Sequence, residues 1–393
     1  MNVAGIICEY NPFHNGHARH IAMTRRALGG DCAVIGAMSG NFVQRGDFAV
    51  FNKHSRAEAS VRCGADLVIE IPAPYALSSA NGFAQAGVFL LGSLGVCGII
   101  SFGSESGDIG VLKEAAEAIA APEADALIRE WLDRGVPYAT AQQKAAEAIL
   151  GERADLFKSP NNLLGIEYLK AIAASGTALQ PLAVKREGGA HDGAAGISAM
   201  AMRERLLRGE LPWEQTREEA AKVYSDEIEA GRGPVSMDAC DIALLSRLRI
   251  AEDLSMLPGA SEGLDRRIAK YAASEPTVKS VLEKAKTKRY AMSRLRRMLI
   301  CACLGITADD TKMPPPYIRI LAMNGTGMRL LKAARKKAEL PIITKPASAQ
   351  RLQGRAAELF RKESAATDLY VLAYQNEMER SGAQEWRKSP IVM

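Results

Sequence analysis

One stretch constrains this chain more than any other: EYNPFHNGH, Glu9 to His17. The residues before it, Val3 to Cys8, are small or β-branched and carry no charge, which predicts a short buried strand. The residues after it, HARHIAMTRRAL, place Ile21, Ala22 and Leu28 at helical spacing until Gly29 and Gly30 end the run. The unit is therefore strand, tight loop, helix. Pro12 restricts the loop and Gly16 lets a ligand approach the backbone, which puts His14 and His17 around the start of a helix, where unpaired N–H groups favour a phosphate. Two imidazoles there can hydrogen-bond a polyphosphate and stabilise the charge that grows on it.

The chain then alternates. CAVIGAM (32–38) reads as a second buried strand, SRAEASVRCG (55–64) as a helix and LVIEI (67–71) as a third strand. A helix over 79–93 and a strand VCGIISFG (96–103) follow, then an alanine-rich amphipathic stretch from Val111 to Leu150, read as helices inserted in the fold. LQPLAVKRE (179–187) is a fifth strand, GGAHDGAAG (188–196) a mobile glycine-rich loop, and Ser198 the cap of a further helix carrying Arg203. A β-α-β-α-β order implies a parallel sheet with right-handed crossovers. In such sheets the ligand sits outside the carboxyl ends of the strands, where Arg45 in SGNFVQRGD and Gly103 fall.

From about residue 206 the periodicity is helical almost throughout, and the charge changes sign. Residues 1–205 carry 18 Lys+Arg against 21 Asp+Glu, whereas the remainder carries 32 against 24. That asymmetry favours a catalytic domain joined to one that meets a polyanion. The window Lys279 to Arg297 is densest, with Lys279, Lys284, Lys286, Lys288, Arg289, Arg294, Arg296 and Arg297 against Glu283 alone. Solvated helices interleave both signs, so this window reads as a nucleic-acid surface, with Tyr290 placed to stack on an unpaired base. Arg329, Lys332, Arg335, Lys336 and Lys337 form a second basic cluster.

Other chemistries fit less well. His14, His17 and His20 have H-x-x-H-x-x-H spacing, but zinc needs three or four converging ligands and only Cys8 is an obvious addition, so no metal site is assigned. Taken alone, His20 reads as a helix-surface residue, Cys8 as a packing residue and Asn161 as a helix N-cap in SPNN (159–162). No charged residue lies between Glu70 and Glu105, yet prolines, polar residues and glycines interrupt the stretch. A membrane span needs about 20 predominantly apolar residues, so we read buried helix plus strand and expect no membrane partner. Seven scattered cysteines and the absence of a leader pattern indicate reduced thiols in a cytoplasm.

HNGH is the H-x-G-H signature of the nucleotidyltransferase superfamily, whose fold is a Rossmann-like parallel sheet. The whole EYNPFHNGH resembles the bacterial tRNA(Met) cytidine acetate ligase family. The resemblance continues through SGNFVQRGDFAV (39–50), GADLVIEIP (64–72), FGSESGD (102–108), SPNNLLGIEYLKA (159–171), KRYAMSRLRRML (288–299) and PPYIRILAMNGTG (315–327), nearly the full chain. It implies an ATP-dependent ligase that makes acetyl-adenylate from acetate and acetylates N4 of the wobble cytidine, position 34, of elongator tRNA(Met). His14 and His17 would act on the phosphates. Ile7, Cys8, Glu9, Tyr10, Asn11, Pro12, Phe13, Asn15, Gly16 and His20 would surround the nucleotide, and Gly103 would border the adenosine. Asn161, Asn162 and Arg186 would complete the ATP site. Ser198 and Arg203 match the superfamily's second phosphate motif, although Ala199 and Met200 stand where hydroxyls are common. Lys288, Arg289, Arg296 and Arg297 would contact tRNA, and Mg²⁺ would accompany pyrophosphate.

The expected fold is thus α/β, a Rossmann-like nucleotidyltransferase parallel sheet over residues 1–208 with a helical insertion at about 111–155, followed by an α-helical tRNA-binding domain over 209–393. No obligate protein partner is implied. Two other readings stay open from the residues alone: a small-molecule adenylyltransferase of the same superfamily, and a tRNA-binding protein without turnover.

Overall fold

The computed structural model of the protein describes residues 1–186, 198–251 and 253–393. Its strands are β1 (Asn2–Cys8), β2 (Cys32–Ser39), the short pair β3 (Phe42–Val43) and β4 (Asp47–Phe48), β5 (Leu67–Ile71), β6 (Ile99–Ser104), β7 (Gln180–Lys185), β8 (Ile318–Met323), β9 (Ile342–Ile343) and β10 (Ile391–Val392). The five long strands expected in the first half are all present. They lie in the order β5-β2-β1-β6-β7, every neighbouring pair parallel. Chain order reverses between β1 and β6, so the crevice at their carboxyl ends is the topological switch point where open α/β sheets take ligands.

Both faces of the sheet are buried along β5, β2, β1 and β6, which explains why these strands read as apolar runs rather than alternating ones. Successive residues of β1 divide between two cores: Ile6 packs with Phe13, Ile21, Val34 and Leu206 on one side, Ile7 with Leu91, Ile100 and Leu112 on the other. The charge-free stretch after Glu70 becomes helices Ala73–Ala76 and Ala80–Ser93 followed by β6, all packed on the sheet. Among the described residues, no helix is long and apolar enough to cross a membrane.

The later half departs from an all-helical reading. Ile318–Met323 forms β8, which pairs antiparallel with β5, and β10 pairs with β8, so the chain's last strands complete the same eight-stranded sheet. The segment IRILAM is fully buried, Arg319 included, and a short, mostly apolar buried run cannot be assigned to helix or strand by periodicity alone. What stands beside the sheet as a helical body is the segment from about 235 to 306. Its core of Leu244, Leu264, Val281, Leu295, Met298 and Leu299 closes on the late helix Gly354–Val371 through Ala366 and Tyr370. The glycine-rich loop expected at 188–196 lies outside the described residues.

Candidate nucleotide site

The EYNPFHNGH segment leaves β1 and enters the helix Asn15–Ala27 at the switch point. His14 is the N-cap: its Nδ1 accepts the Gly16 N–H at 3.0 Å, and its own N–H donates to His17 Nδ1 at 3.2 Å. The two rings stack with centroids 3.7 Å apart. An imidazole that accepts at Nδ1 while neutral carries its hydrogen on Nε2, so each ring has Nε2–H as the donor it can offer a ligand. Both rings are held neutral. Burial pushes His14 down to about 4, with Arg186 and Arg203 adding to it, and pushes His17 well below the ordinary histidine range. A neutral Nε2–H pair above a helix N-terminus is suited to an anion, and an incoming phosphate favours protonation of either ring.

The rest of the segment is scaffold. Tyr10 adopts φ +45°, a conformation its side chain alone disfavours, and packs edge-on to Phe13 and against His17. The loop's main chain is tied at Glu9, Asn11 and Phe13: the Glu9 carbonyl accepts from Arg56, the Asn11 carbonyl from Arg203 Nη1 at 2.6 Å and the Phe13 carbonyl from Thr216 at 2.9 Å, while the Phe13 N–H donates to the Tyr224 hydroxyl at 2.9 Å. Asn11 Oδ1 accepts from Val50 N–H at 2.8 Å. Ile7, Tyr10 and Phe13 are buried side chains, so they shape the loop rather than project from it.

Across the switch point the ends of β6 and β7 bring a second set together. Asn161 and Asn162 open the helix Pro160–Ser175, whose N-cap position belongs to Ser159, so the N-cap expectation for Asn161 gives way to a different use. Asn161 donates to Glu105 Oε1 at 2.6 Å and accepts from Arg186 Nη1 at 2.9 Å, while Asn162 accepts from the Ser104 hydroxyl at 2.7 Å. The Asn162 N–H donates to Glu105 Oε2 at 3.0 Å. Glu105 therefore braces both asparagines, and through Asn161 it orients Arg186. Sequence reasoning missed Glu105 and Ser104 although both lie in FGSESGD, because a strand's terminal loop does not reveal which helix its side chains will meet. A Cβ at Gly103 would lie 3.2 Å from Arg186 Cγ, so a larger residue there would displace the guanidinium.

The expectations for His20, Tyr290 and the basic arginines change, and those for Ser198 as a helix cap and Cys8 as a packing residue hold. His20 is a half-buried neighbour of Ser101, with Nε2 3.1 Å from its hydroxyl, rather than a surface residue, because the helix packs over the amino-terminal part of β6. Ser198 caps its helix by accepting from Ala201 N–H at 3.1 Å, and Arg203 reaches the Asn11 carbonyl. Cys8 is packed with its thiol pushed far up by burial, and all seven cysteines are free. Tyr290 is buried in the helical core with its hydroxyl on the Glu262 carbonyl at 2.7 Å, which removes it as a base-stacking platform. Within the basic window Arg289 and Arg294 pair with Glu262, Arg296 with Asp47, and Arg297 donates to the Gln44 carbonyl, whereas Lys279, Lys284, Lys286 and Lys288 are exposed.

A feature with no local sequence signal lies behind the site. Lys53 is buried between Glu70 at 2.6 Å and Glu385 at 2.8 Å, Arg319 Nη1 lies 2.8 Å from Glu385, and Glu363 accepts from the Ala73 N–H. Burial opposes ionisation of Glu385, yet Arg319 and Lys53 hold it down at about 2, while burial and Glu70 push Glu363 well above the carboxylate range. Arg56, fully buried beside this group, donates to the Ser39, Gly40, Phe51 and Glu9 carbonyls and so ties the ends of β1 and β2 together. Among the described residues, no group of three or more His, Cys, Asp or Glu side chains is placed to hold a metal ion.

Comparison with known proteins agrees with this geometry. The family described as HIGH Nucleotidyl Transferase matches residues 1–385. A tRNA(Met) cytidine acetate ligase of Thermosipho africanus is 34% identical over 423 residues, covering 100% of both chains, and one of Thermoanaerobacter sp. is 35% identical, covering 96% of each. The crystal structure of Thermotoga maritima TmcAL bound with alpha-thio ATP superposes with a TM-score of 0.92 at 31% identity over 100% of both chains. Its apo form gives 0.91. This chain belongs to the tRNA(Met) cytidine acetate ligase family of the HIGH nucleotidyl transferases.

Proposed function

We propose that the protein is an ATP-dependent ligase that forms N4-acetylcytidine at wobble position 34 of elongator tRNA(Met), using acetate. The observation that carries this reading is the stacked His14–His17 pair, two neutral Nε2–H donors at a helix N-terminus on the switch point, in a chain whose full-length relatives bear that enzyme's name.

Cytosine's exocyclic amine is a poor nucleophile and acetate a poor electrophile, so the carboxylate must first gain a good leaving group. An acetate oxygen attacks the α-phosphorus of ATP, the bond to the β-phosphate oxygen breaks, and pyrophosphate leaves. The N4 amine then attacks the acetyl carbon, the bond to AMP breaks, and N4 loses a proton. The protein's part is positioning and stabilisation of charge. His14 and His17 hydrogen-bond the phosphates, Arg186 faces them from the end of β7, and Asn161, Asn162 and Glu105 hold Arg186 and the end of β6 in place. Gly103 leaves room for the adenosine. A Mg²⁺ ion would be carried by the pyrophosphate oxygens, which are the hard ligands it prefers.

The sheet and its first helices serve as the catalytic half, and the 235–306 helical body with its exposed lysines as the tRNA-binding half. Seven unpaired cysteines agree with a cytoplasmic setting. The test is incubation with ATP, acetate and tRNA(Met) followed by nucleoside analysis. N4-acetylcytidine with stoichiometric AMP supports the reading. AMP transfer to a phosphorylated small molecule supports an adenylyltransferase instead, and tRNA binding without turnover supports a binding protein.

A further inference from the structure

The β3–β4 hairpin lies between the nucleotide segment and the helical body, and the main chain of one of its residues touches both. The Gln44 N–H donates to Glu9 Oε1 at 2.7 Å, and the Gln44 carbonyl accepts from Arg297 Nη1 at 3.0 Å. Glu9 directly follows β1 at the switch point, and Arg297 stands on the helix Met292–Leu304 of the helical body. The hairpin is pressed against that helix. Gly46 has φ +75°, and a Cβ there would meet the Arg297 backbone nitrogen at 2.6 Å. Arg296 pairs with Asp47 at 3.6 Å beside the same turn, while Arg45 at its tip is exposed.

From this relay we propose that Arg297 is a positioning residue for acetyl transfer: it acts through the Gln44 main chain to hold the Glu9 carboxylate and the hairpin in fixed relation to the helix that carries the basic window. The proposal rests on the ligase reading above and deepens it. Acetyl transfer requires an acceptor bound on one body to meet an adenylate bound on another, and displacement of an attacking atom by about 1 Å can cost about a hundredfold in rate. A residue whose N–H donates to one body and whose carbonyl accepts from the other transmits their relative position, because both bonds involve charged partners, the stronger class of hydrogen bond. Arg297 thus differs in kind from Lys279, Lys284 and Lys288, which are exposed on the same window.

The experiment measures kcat and KM for tRNA in the complete acetylation reaction with the full-length protein. Arg297→Met keeps the buried stem and removes the donor, and Arg297→Lys keeps a donor. Glu9→Ala removes the far end of the relay. We expect Arg297→Met to lower kcat about tenfold, the scale of one charged hydrogen bond, with KM for tRNA and its salt dependence within about twofold of the parent. Arg297→Lys should recover most of kcat. In a double-mutant cycle, Glu9→Ala with Arg297→Met should fall little further than Glu9→Ala alone, because both remove the same link. Three results overturn the proposal: kcat unchanged in Arg297→Met, a raised KM with a flatter salt dependence, which would make Arg297 a direct phosphate ligand, or effects that multiply in the double variant. If Arg297→Met loses its thermal transition, the comparison of Arg297→Lys with parent decides, since a positioning donor predicts near-parent kcat and a bidentate grip on tRNA predicts a raised KM. A parent protein that does not acetylate tRNA overturns the ligase reading and this proposal together; an active parent with any of the three results overturns this one alone.

Discussion

His14 and His17 stack with ring centroids 3.7 Å apart, and each commits its Nδ1 to a backbone N–H of the same helical turn. The capping box that starts the helix is therefore also the device that sets both tautomers. Gly16 belongs to it: a Cβ there would come within 2.8 Å of His14 Cε1. The H-x-G-H spacing is a consequence of these geometries, since the cap pairs a residue with the one three positions on and the ring needs the space above Gly16.

His14→Ala and His17→Ala should each slow acetate-dependent pyrophosphate release by roughly 10²–10³, the scale of removing one preorganised donor to a developing charge. Binding of tRNA, measured by filter retention, should stay near the parent value. Survival of pyrophosphate release in both variants would show that the phosphates bind elsewhere.

Arg186→Ala should raise the KM for ATP, and Glu105→Ala should do so to a smaller degree, because Glu105 acts on Arg186 only through Asn161. The pair should be non-additive in a double-mutant cycle on the KM for ATP. If Glu105→Ala proved the more damaging change, the carboxylate would have a direct role of its own.

Lys53→Met should lower stability by about 3–5 kcal/mol, the cost of leaving buried carboxylates without their partner. Lys53 lies between Glu70 and Glu385, each within 2.8 Å. Denaturant unfolding measures the loss. A change below about 1 kcal/mol, the scale of an exposed ion pair, would indicate that Arg319 alone compensates the cluster.

Stability should fall as pH drops through the range from the ordinary histidine value, about 6.5, toward 4. Burial, with Arg186 adding to it, lowers His20 to about 4, so between these values the unfolded chain binds a proton that the folded chain does not. Each such histidine contributes a slope of about 1.4 kcal/mol per pH unit. Above the unfolded value the contribution is complete, and it is lost as pH falls through the folded one. His20→Gln keeps a partner for Ser101 and should flatten the dependence of the melting temperature on pH over this window; an unchanged dependence would mean that His20 is protonated in the fold.

The exposed lysines of the basic window give a separate prediction. Replacing Lys279, Lys284 and Lys288 together by alanine should weaken tRNA binding and reduce the salt slope by roughly 0.7–0.9 for each phosphate no longer neutralised. Pyrophosphate release without tRNA should stay near normal. Equal affinity at every salt concentration would place the tRNA elsewhere, with Arg329, Lys332, Arg335, Lys336 and Lys337 the next surface to test.

The amino-terminal sheet was legible because its signals are local. Apolar runs, glycine stops and the loop between Cys8 and Asn15 are set within a few residues of each other, and the histidine pair needs only one helical turn to assemble. What lay beyond local patterning was decided by pairings between distant segments. Ile318–Met323 is a short buried run whose choice of strand over helix depends on the free edge of β5, and the pairing of Lys53 with Glu385 spans 332 residues. The same holds for the basic window. Sequence alone grouped Lys288, Arg289, Arg296 and Arg297 as one surface, but charge pattern does not tell which guanidinium will find an acid or a carbonyl. Tertiary packing put Glu262, Asp47 and the Gln44 carbonyl against the three arginines and left Lys288 in solvent, because a hydrogen bond that satisfies a buried peptide is made wherever the fold brings a donor within reach.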